Sequence, residues 1–214
     1  MKVAIIKYNA GNIQSVDYAL KRLGVEASVT ADHEEIRSAD RVIFPGVGEA
    51  STTMAYLREH KLDKLITDLK QPVLGICLGL QLMCRHSEEG DVECLGIFDE
   101  TVKRFVLDHK LLPSMKIPHM GWNTISGLKS NLFDKSIEGE YCYFVHSYYA
   151  TTGSDTAAIC SYPEPFSAAL QKNNFFAVQF HPEKSGAGWP SFARSAPQWV
   201  AVPPVTYSIS SSAS

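Results

Sequence analysis

The chain has 214 residues, a formal net charge of −3, a pI near 6.2 and 45% hydrophobic residues. That length and apolar content suit one α/β domain with a substantial core, and the mild acidic balance leaves no basic footprint for nucleic acid. No apolar run approaches the ~20 residues that span a bilayer, and five cysteines without a C-x-x-C pair exclude neither a core role nor a reactive thiol but argue against a disulfide scaffold or thiolate metal site.

A reduced, cytoplasmic protein is therefore expected, with neither nucleic acid nor membrane as partner. Val3 to Ile6 reads as a strand from the outset, too early and too short for a signal peptide. Val16, Ala19, Leu20 and Leu23 then recur at helical spacing, with Gly24 where a C-cap glycine would sit. Strands follow near Glu26 to Thr30 and Arg41 to Phe44. Met54, Leu57, Leu62, Leu65, Ile66 and Leu69 predict one or two helices before Pro72. Val73 to Cys77 is again a strand, and Leu80, Leu82 and Met83 open another helix. Alternating strands and helices imply a parallel sheet covered on both faces, with ligands outside the carboxyl ends of its strands.

The second half reads as strands at Thr101 to Val106, Tyr141 to Tyr149, Ala157 to Tyr162, Ser167 to Gln171 and Phe175 to Phe180, with Asn173-Asn174 as a hairpin turn. The expected fold class is α/β, a mostly parallel central sheet with an antiparallel extension. From Ala187 onward Pro190, Pro197, Pro203 and Pro204 and a serine-rich end predict an irregular tail. The expected division is thus a domain over 1–186 and an atypical tail over 187–214.

Three segments carry chemistry. In Gly75-Ile76-Cys77-Leu78-Gly79-Leu80-Gln81 a strand runs into a cysteine with glycines two residues to either side, the pattern of a nucleophile elbow. A thiol at a helix N-terminus meets unpaired N–H groups that favour the thiolate, and the Leu78 N–H is placed to stabilise an oxyanion. A core cysteine explains this heptapeptide about equally well. In Gln179-Phe180-His181-Pro182-Glu183 an extended chain would put His181 and Glu183 on one face, a general base with a carboxylate partner. A solvated His–Glu pair is the plainer explanation, and a metal site is disfavoured because no third ligand is near in sequence. Phe44-Pro45-Gly46-Val47-Gly48 allows close approach of backbone to a ligand, or is an ordinary strand–helix loop. Glu88-Glu89 has a bland reading as a solvated pair, and His146-Ser147-Tyr148-Tyr149 one as strand packing.

In this order the three segments resemble the class I, triad-type glutamine amidotransferases over about residues 1–186. The resemblance implies a three-layer, flavodoxin-like fold, with Cys77 as nucleophile, His181 as base and Glu183 as its orienting partner. It implies an oxyanion hole at Gly46, Val47 and Leu78, and glutamine held by Gln81, Glu89, Ser147 and Tyr148. Lys7-Tyr8-Asn9-Ala10-Gly11-Asn12, Pro118-His119-Met120-Gly121-Trp122-Asn123, FVHSYYA at 144–150 and FHPEKSG at 180–186 are more narrowly similar to the glutaminase subunits of imidazole glycerol phosphate synthase. Such subunits dock on a (β/α)₈-barrel cyclase, a lyase that uses the ammonia to form imidazole glycerol phosphate and an aminoimidazole carboxamide ribotide in histidine biosynthesis. Asn12, Trp122, Asn123 and Lys184 match positions at or near that heterodimer interface, although a core tryptophan also explains Trp122. No cofactor and no metal are implied. The chain departs from the family after the K-S-G segment, where an amphipathic helix usually follows. A glutaminase of another synthase, an impaired binding subunit on this fold and a generic cysteine hydrolase stand as alternatives.

Overall fold

The computed structural model describes residues 1–8, 11–108, 110, 113–130, 132–133 and 137–185. The expected tail over 187–214, and Asn9 and Ala10, lie outside the described residues.

The first half alternates as its pattern predicts: β1 (Val3–Ile6), α1 (Ile13–Arg22), β2 (Ala27–Thr30), α2 (His33–Ser38), β3 (Arg41–Gly46), α3 (Ala50–Glu59), α4 (Leu62–Asp68), β4 (Val73–Cys77) and α5 (Leu78–Met83). Gly24 ends α1 with φ 73°, and its N–H donates to the Lys21 carbonyl at 3.0 Å. The helix α2 escapes a search for apolar periodicity because only Ile36 of its six residues is buried. Its start is nevertheless written in the sequence, since the Asp32 carboxylate accepts from the Glu35 N–H at 2.8 Å as an N-cap does.

The second half contributes β5 (His86–Ser87), β6 (Val92–Glu93), β7 (Thr101–Arg104), β8 (His119–Thr124), β9 (Tyr141–His146), β10 (Tyr148–Ala150), β11 (Thr156–Ser161), β12 (Pro165–Lys172) and β13 (Phe175–Val178). The run Tyr141 to Tyr149, expected as one strand, is two. It breaks at Ser147, after which β10 leaves the β8–β9 pair and joins a four-stranded sheet in the order β10-β7-β5-β6. Unbroken apolar alternation does not reveal a change of sheet.

Seven strands form the central sheet in the order β11-β12-β13-β4-β3-β1-β2. From β13 to β2 the pairings are parallel, and β11 and β12 extend it antiparallel. Successive residues of the inner strands serve opposite faces. Val3 and Ile5 pack with Val16, Ala19 and Leu20 of α1 and with Phe144 and Phe166. Ala4, Ile6 and Phe44 pack with Ile36, Met54, Leu57, Leu65 and Leu80 from the helices of the other layer. Both faces are apolar and both are covered, which gives three layers. The central strand β4 ends at Cys77, between the end of β3 and the residues that leave β13.

Candidate active site

The elbow begins with backbone geometry. Cys77 has φ 55° and ψ −108°, a conformation that an L-residue adopts only under constraint from its surroundings. The constraint comes from the two glycines. A Cβ on Gly79 would overlap the Phe44 carbonyl oxygen, and one on Gly75 would lie 3.0 Å from the Gly79 carbonyl carbon. Without side chains there, α5 closes directly onto β3 and β4 and turns Cys77 outward. The helix has only six residues, so its dipole acts weakly and side chains must supply most of the local field. One is Gln179, whose Nε2 lies 3.7 Å from the Cys77 Sγ.

His181 and Glu183 meet by a different route from the one expected. The chain is extended only as far as His181, and Pro182–Lys184 is a 3-10 turn. Strand alternation therefore does not bring the pair together; the turn does, with Nδ1 of His181 2.8 Å from Oε1 of Glu183. Ser185 closes the turn by donating to the His181 carbonyl at 2.7 Å. The main-chain N–H of His181 donates to the Tyr143 carbonyl at 2.9 Å. The pair is not solvated, because His181 is 0% and Glu183 8% exposed. Asn12, in the left-handed region at the N-terminus of α1, makes no side-chain cap for its helix. Its amide instead donates to Glu183 Oε1 at 2.8 Å and lies 3.3 Å from His181 Nδ1.

The electrostatics follow. Burial opposes a charge on His181, but the neighbouring Cys77 and Glu183 outweigh it and raise its pKa. Burial likewise pushes Glu183 up, yet His181 and Asn12 hold it below the usual carboxylate range. With Nδ1 donating to a carboxylate, Nε2 of His181 is free to take a proton, and among the described residues it has no hydrogen-bond partner. A thiol whose proton passes to that nitrogen leaves a thiolate beside an imidazolium, the activated form of a cysteine nucleophile.

In front of Cys77 lies a cavity of about 250 Å³, lined in part by Val47, Leu78, Gln81, Glu89, Ser147 and Tyr148. It is below the ~300–1,000 Å³ of drug-sized ligand sites and suits an amino acid. Glu89 is partly buried there, its Oε2 accepting from the Ala50 N–H at 2.9 Å. Burial pushes its pKa up, a cost that an incoming ammonium group would offset. The amide of Gln81 donates to the Tyr148 carbonyl at 2.8 Å and to Gln179 Oε1 at 3.0 Å. Both donors are engaged inside the protein, which leaves its Oε1 for a ligand. Gly46 stands opposite Cys77 in the parallel register of β3 and β4. Gly48, Pro118, Val145 and His146 also line the cavity. Gly48 belongs to the glycine loop that the sequence singles out, whereas the sequence assigns no site role to Pro118, Val145, His146, Gln179 or Ser185 individually, nor any contact from Asn12 to His181 and Glu183.

Behind the cavity His119 and His146 face each other across β8 and β9. Nδ1 of His119 lies 3.1 Å from Nε2 of His146, and Nδ1 of His146 lies 2.7 Å from the Tyr148 carbonyl. Burial pushes His119 down to about 4 and His146 down to about 3. An unfolded histidine titrates near 6.5. Below that pH the unfolded chain gains protons that the folded pair refuses, so the pair's contribution to stability is full above about 6.5 and falls toward pH 4. The expected slope is roughly 2–2.7 kcal/mol per pH unit, up to about 1.4 from each histidine. His119→Phe keeps the ring stacking on Phe144 and Tyr162 and should about halve the slope in urea unfolding; an unchanged slope would contradict the assignment.

The remaining sequence candidates lie at the surface beside the triad. Trp122 is 52% exposed, which excludes the core alternative, and Met120 on the same strand face is 63% exposed. Trp122 meets Tyr143 edge-on at 5.9 Å, and Nζ of Lys184 lies 5.8 Å from the Tyr143 ring centroid. Asn123 is turned inward, donating to the Ser161 carbonyl at 3.2 Å.

The family model described as glutamine amidotransferase class-I matches residues 4–189. A crystal structure of a glutamine amidotransferase, 18% identical in sequence, covers 91% of this chain and 98% of its own with a TM-score of 0.67, a likeness of fold. The chain belongs to the class I glutamine amidotransferases. Its curated relatives are narrower still. The imidazole glycerol phosphate synthase subunit HisH of Bacteroides fragilis (strain YCH46) is 65% identical over 187 residues, covering 87% of this chain and 93% of the relative. That of Bacteroides thetaiotaomicron is 64% identical over 186 residues, with the same coverage. No helix among the described residues is long and apolar enough to cross a membrane.

Proposed function

We propose that the chain is the glutaminase subunit of an imidazole glycerol phosphate synthase, releasing ammonia from glutamine for a barrel cyclase in histidine biosynthesis. The observation that carries the reading is the buried His181–Glu183 pair, with Nε2 of His181 unpartnered beside the Cys77 elbow. Cys77 attacks the side-chain amide carbon of glutamine, and the oxyanion lies toward the Gly46–Val47 backbone and the Leu78 N–H. His181, having taken the thiol proton, gives it to the departing ammonia. Water then adds to the glutamyl thioester with His181 as base, and glutamate leaves while the thiol is restored. Glu89 supports the reading as a counter-charge for the α-ammonium, and Ser147 and Tyr148 form the facing wall.

The cyclase would seat on the surface of Met120, Trp122, Tyr143 and Lys184, where two large exposed apolar side chains, Met120 and Trp122, lie next to the His181–Glu183 turn. Five unpaired cysteines fit a reduced compartment such as the cytoplasm. The test is ammonia release from glutamine by the chain alone and mixed with a barrel cyclase. A one-to-one complex and release that rises on mixing are expected. No ammonia under either condition would overturn the reading.

A further inference from the structure

The loop that leaves β1 touches both halves of the site. Its Asn12 holds Glu183, as described above. Its Tyr8 reaches the other half: the buried hydroxyl donates to the Pro45 carbonyl at 2.6 Å. The Tyr8 ring leans on Phe44 with centroids 5.4 Å apart. There is no slack at this contact, because a Cβ on Gly46 would overlap the Tyr8 hydroxyl. Gly11 adds to the same floor, since a Cβ there would lie 2.8 Å from Cγ2 of Val47.

The Pro45 carbonyl and the Gly46 N–H belong to one peptide plane, so a bond that fixes the oxygen also fixes the direction of the N–H. Gly46 ends β3 opposite Cys77, and beyond it Val47 and Gly48 leave the ladder with no bulky side chain on either glycine to restrict the backbone. We propose that Tyr8 is a positioning residue for glutamine hydrolysis, its hydroxyl locking the Pro45–Gly46 peptide so that the Gly46–Val47 backbone stays aligned beside Cys77. This rests on the glutaminase reading. It extends that reading by assigning the rigidity of the oxyanion loop to a side chain outside the triad. A phenol is well suited to such a lock. It has few torsions to freeze, and its hydroxyl is held protonated, since burial and then the nearby Cys77 push its pKa up.

Tyr8→Phe keeps the ring and removes only the hydroxyl. Alignment of an oxyanion donor matters in the transition state rather than in substrate binding. The expected result, with the cyclase present, is a kcat about tenfold lower, short of the ~10²–10³ lost when a donor itself is removed. KM should stay within about twofold. Alkylation of Cys77 by iodoacetamide, a displacement in which no oxyanion forms, should proceed at the unaltered rate. An unchanged kcat would overturn the proposal. So would a parallel shift in kcat, KM and alkylation, which would mark Tyr8 as a packing residue only. Absence of ammonia from the unaltered chain is a separate outcome: it would remove the glutaminase reading and the proposal with it.

Discussion

Cys77→Ala should abolish ammonia release from glutamine, a loss of at least about 10⁴-fold, and leave the melting temperature within a few degrees. The size of the first effect follows from the division of labour at the site. In the proposed mechanism His181 and Glu183 hold and move a proton, but neither forms the acyl bond, and among the described residues the other four cysteines lie elsewhere in the fold. Removal of the sulfur therefore leaves water as the attacking group, without an acyl-enzyme to divide the reaction. The second effect follows from the backbone. Alanine bears the same Cβ as cysteine and inherits the same left-handed φ of 55°, so the strain at the elbow is unchanged. The lost sulfur was in contact with Gln179, which retains its bond from Gln81. Cys77→Gly is the instructive companion: it should be equally inactive yet more stable than the alanine variant, by about 1 kcal/mol, because glycine adopts this backbone freely. Comparable ammonia release from Cys77→Ala would exclude the thiol as nucleophile.

The other large effect is expected from a single methyl group at Gly79. Its Cβ would overlap the Phe44 carbonyl oxygen, and that oxygen lies on β3, in the middle of the sheet, where it cannot retreat. Either α5 slides off β3 or the β3–β4 ladder parts, and both disturb Cys77. Overpacking of this kind costs about 3 kcal/mol, measured as the shift in urea midpoint at constant slope. Glutamine hydrolysis should fall with it even at temperatures where the variant remains folded, because the first turn of α5 carries both Leu78 and the elbow. Wild-type stability in Gly79→Ala would mean that the helix has room the geometry denies.

The parallel half of the fold is legible in the sequence because each inner strand is an apolar run that dives between two layers. Val3 to Ile6 and Val73 to Cys77 are buried at every position, and both stand out in the sequence as unbroken apolar stretches. The cysteine elbow is legible for a related reason: glycine spacing of two residues on either side reports a steric requirement that is local. The antiparallel half is less so. The short strands β5 and β6 have two residues each, too few for any period, and Ser147 gives no local sign that the chain changes sheets. Contacts made across long separations are invisible in principle. The motif around Asn12 marks it as a position at or near an interface, but nothing local in it shows that its amide lies on Glu183, 171 positions away. Likewise the pairing of Gln81 with Gln179 spans 98 positions, and one buried glutamine gives no hint of the other.

The distribution of thiols has a practical consequence for anyone labelling this protein. Burial holds Cys84 far above the ordinary thiol range and pushes Cys94, Cys142 and Cys160 up to about 12. Those four stay protonated near neutrality, and protonated sulfur is a poor nucleophile. Cys77 stands at a cavity mouth with a proton acceptor beside it. Toward a maleimide or a fluorogenic electrophile the chain should therefore behave as a single-cysteine protein, so that a reporter dye can be installed at the reaction centre without first mutating any other residue.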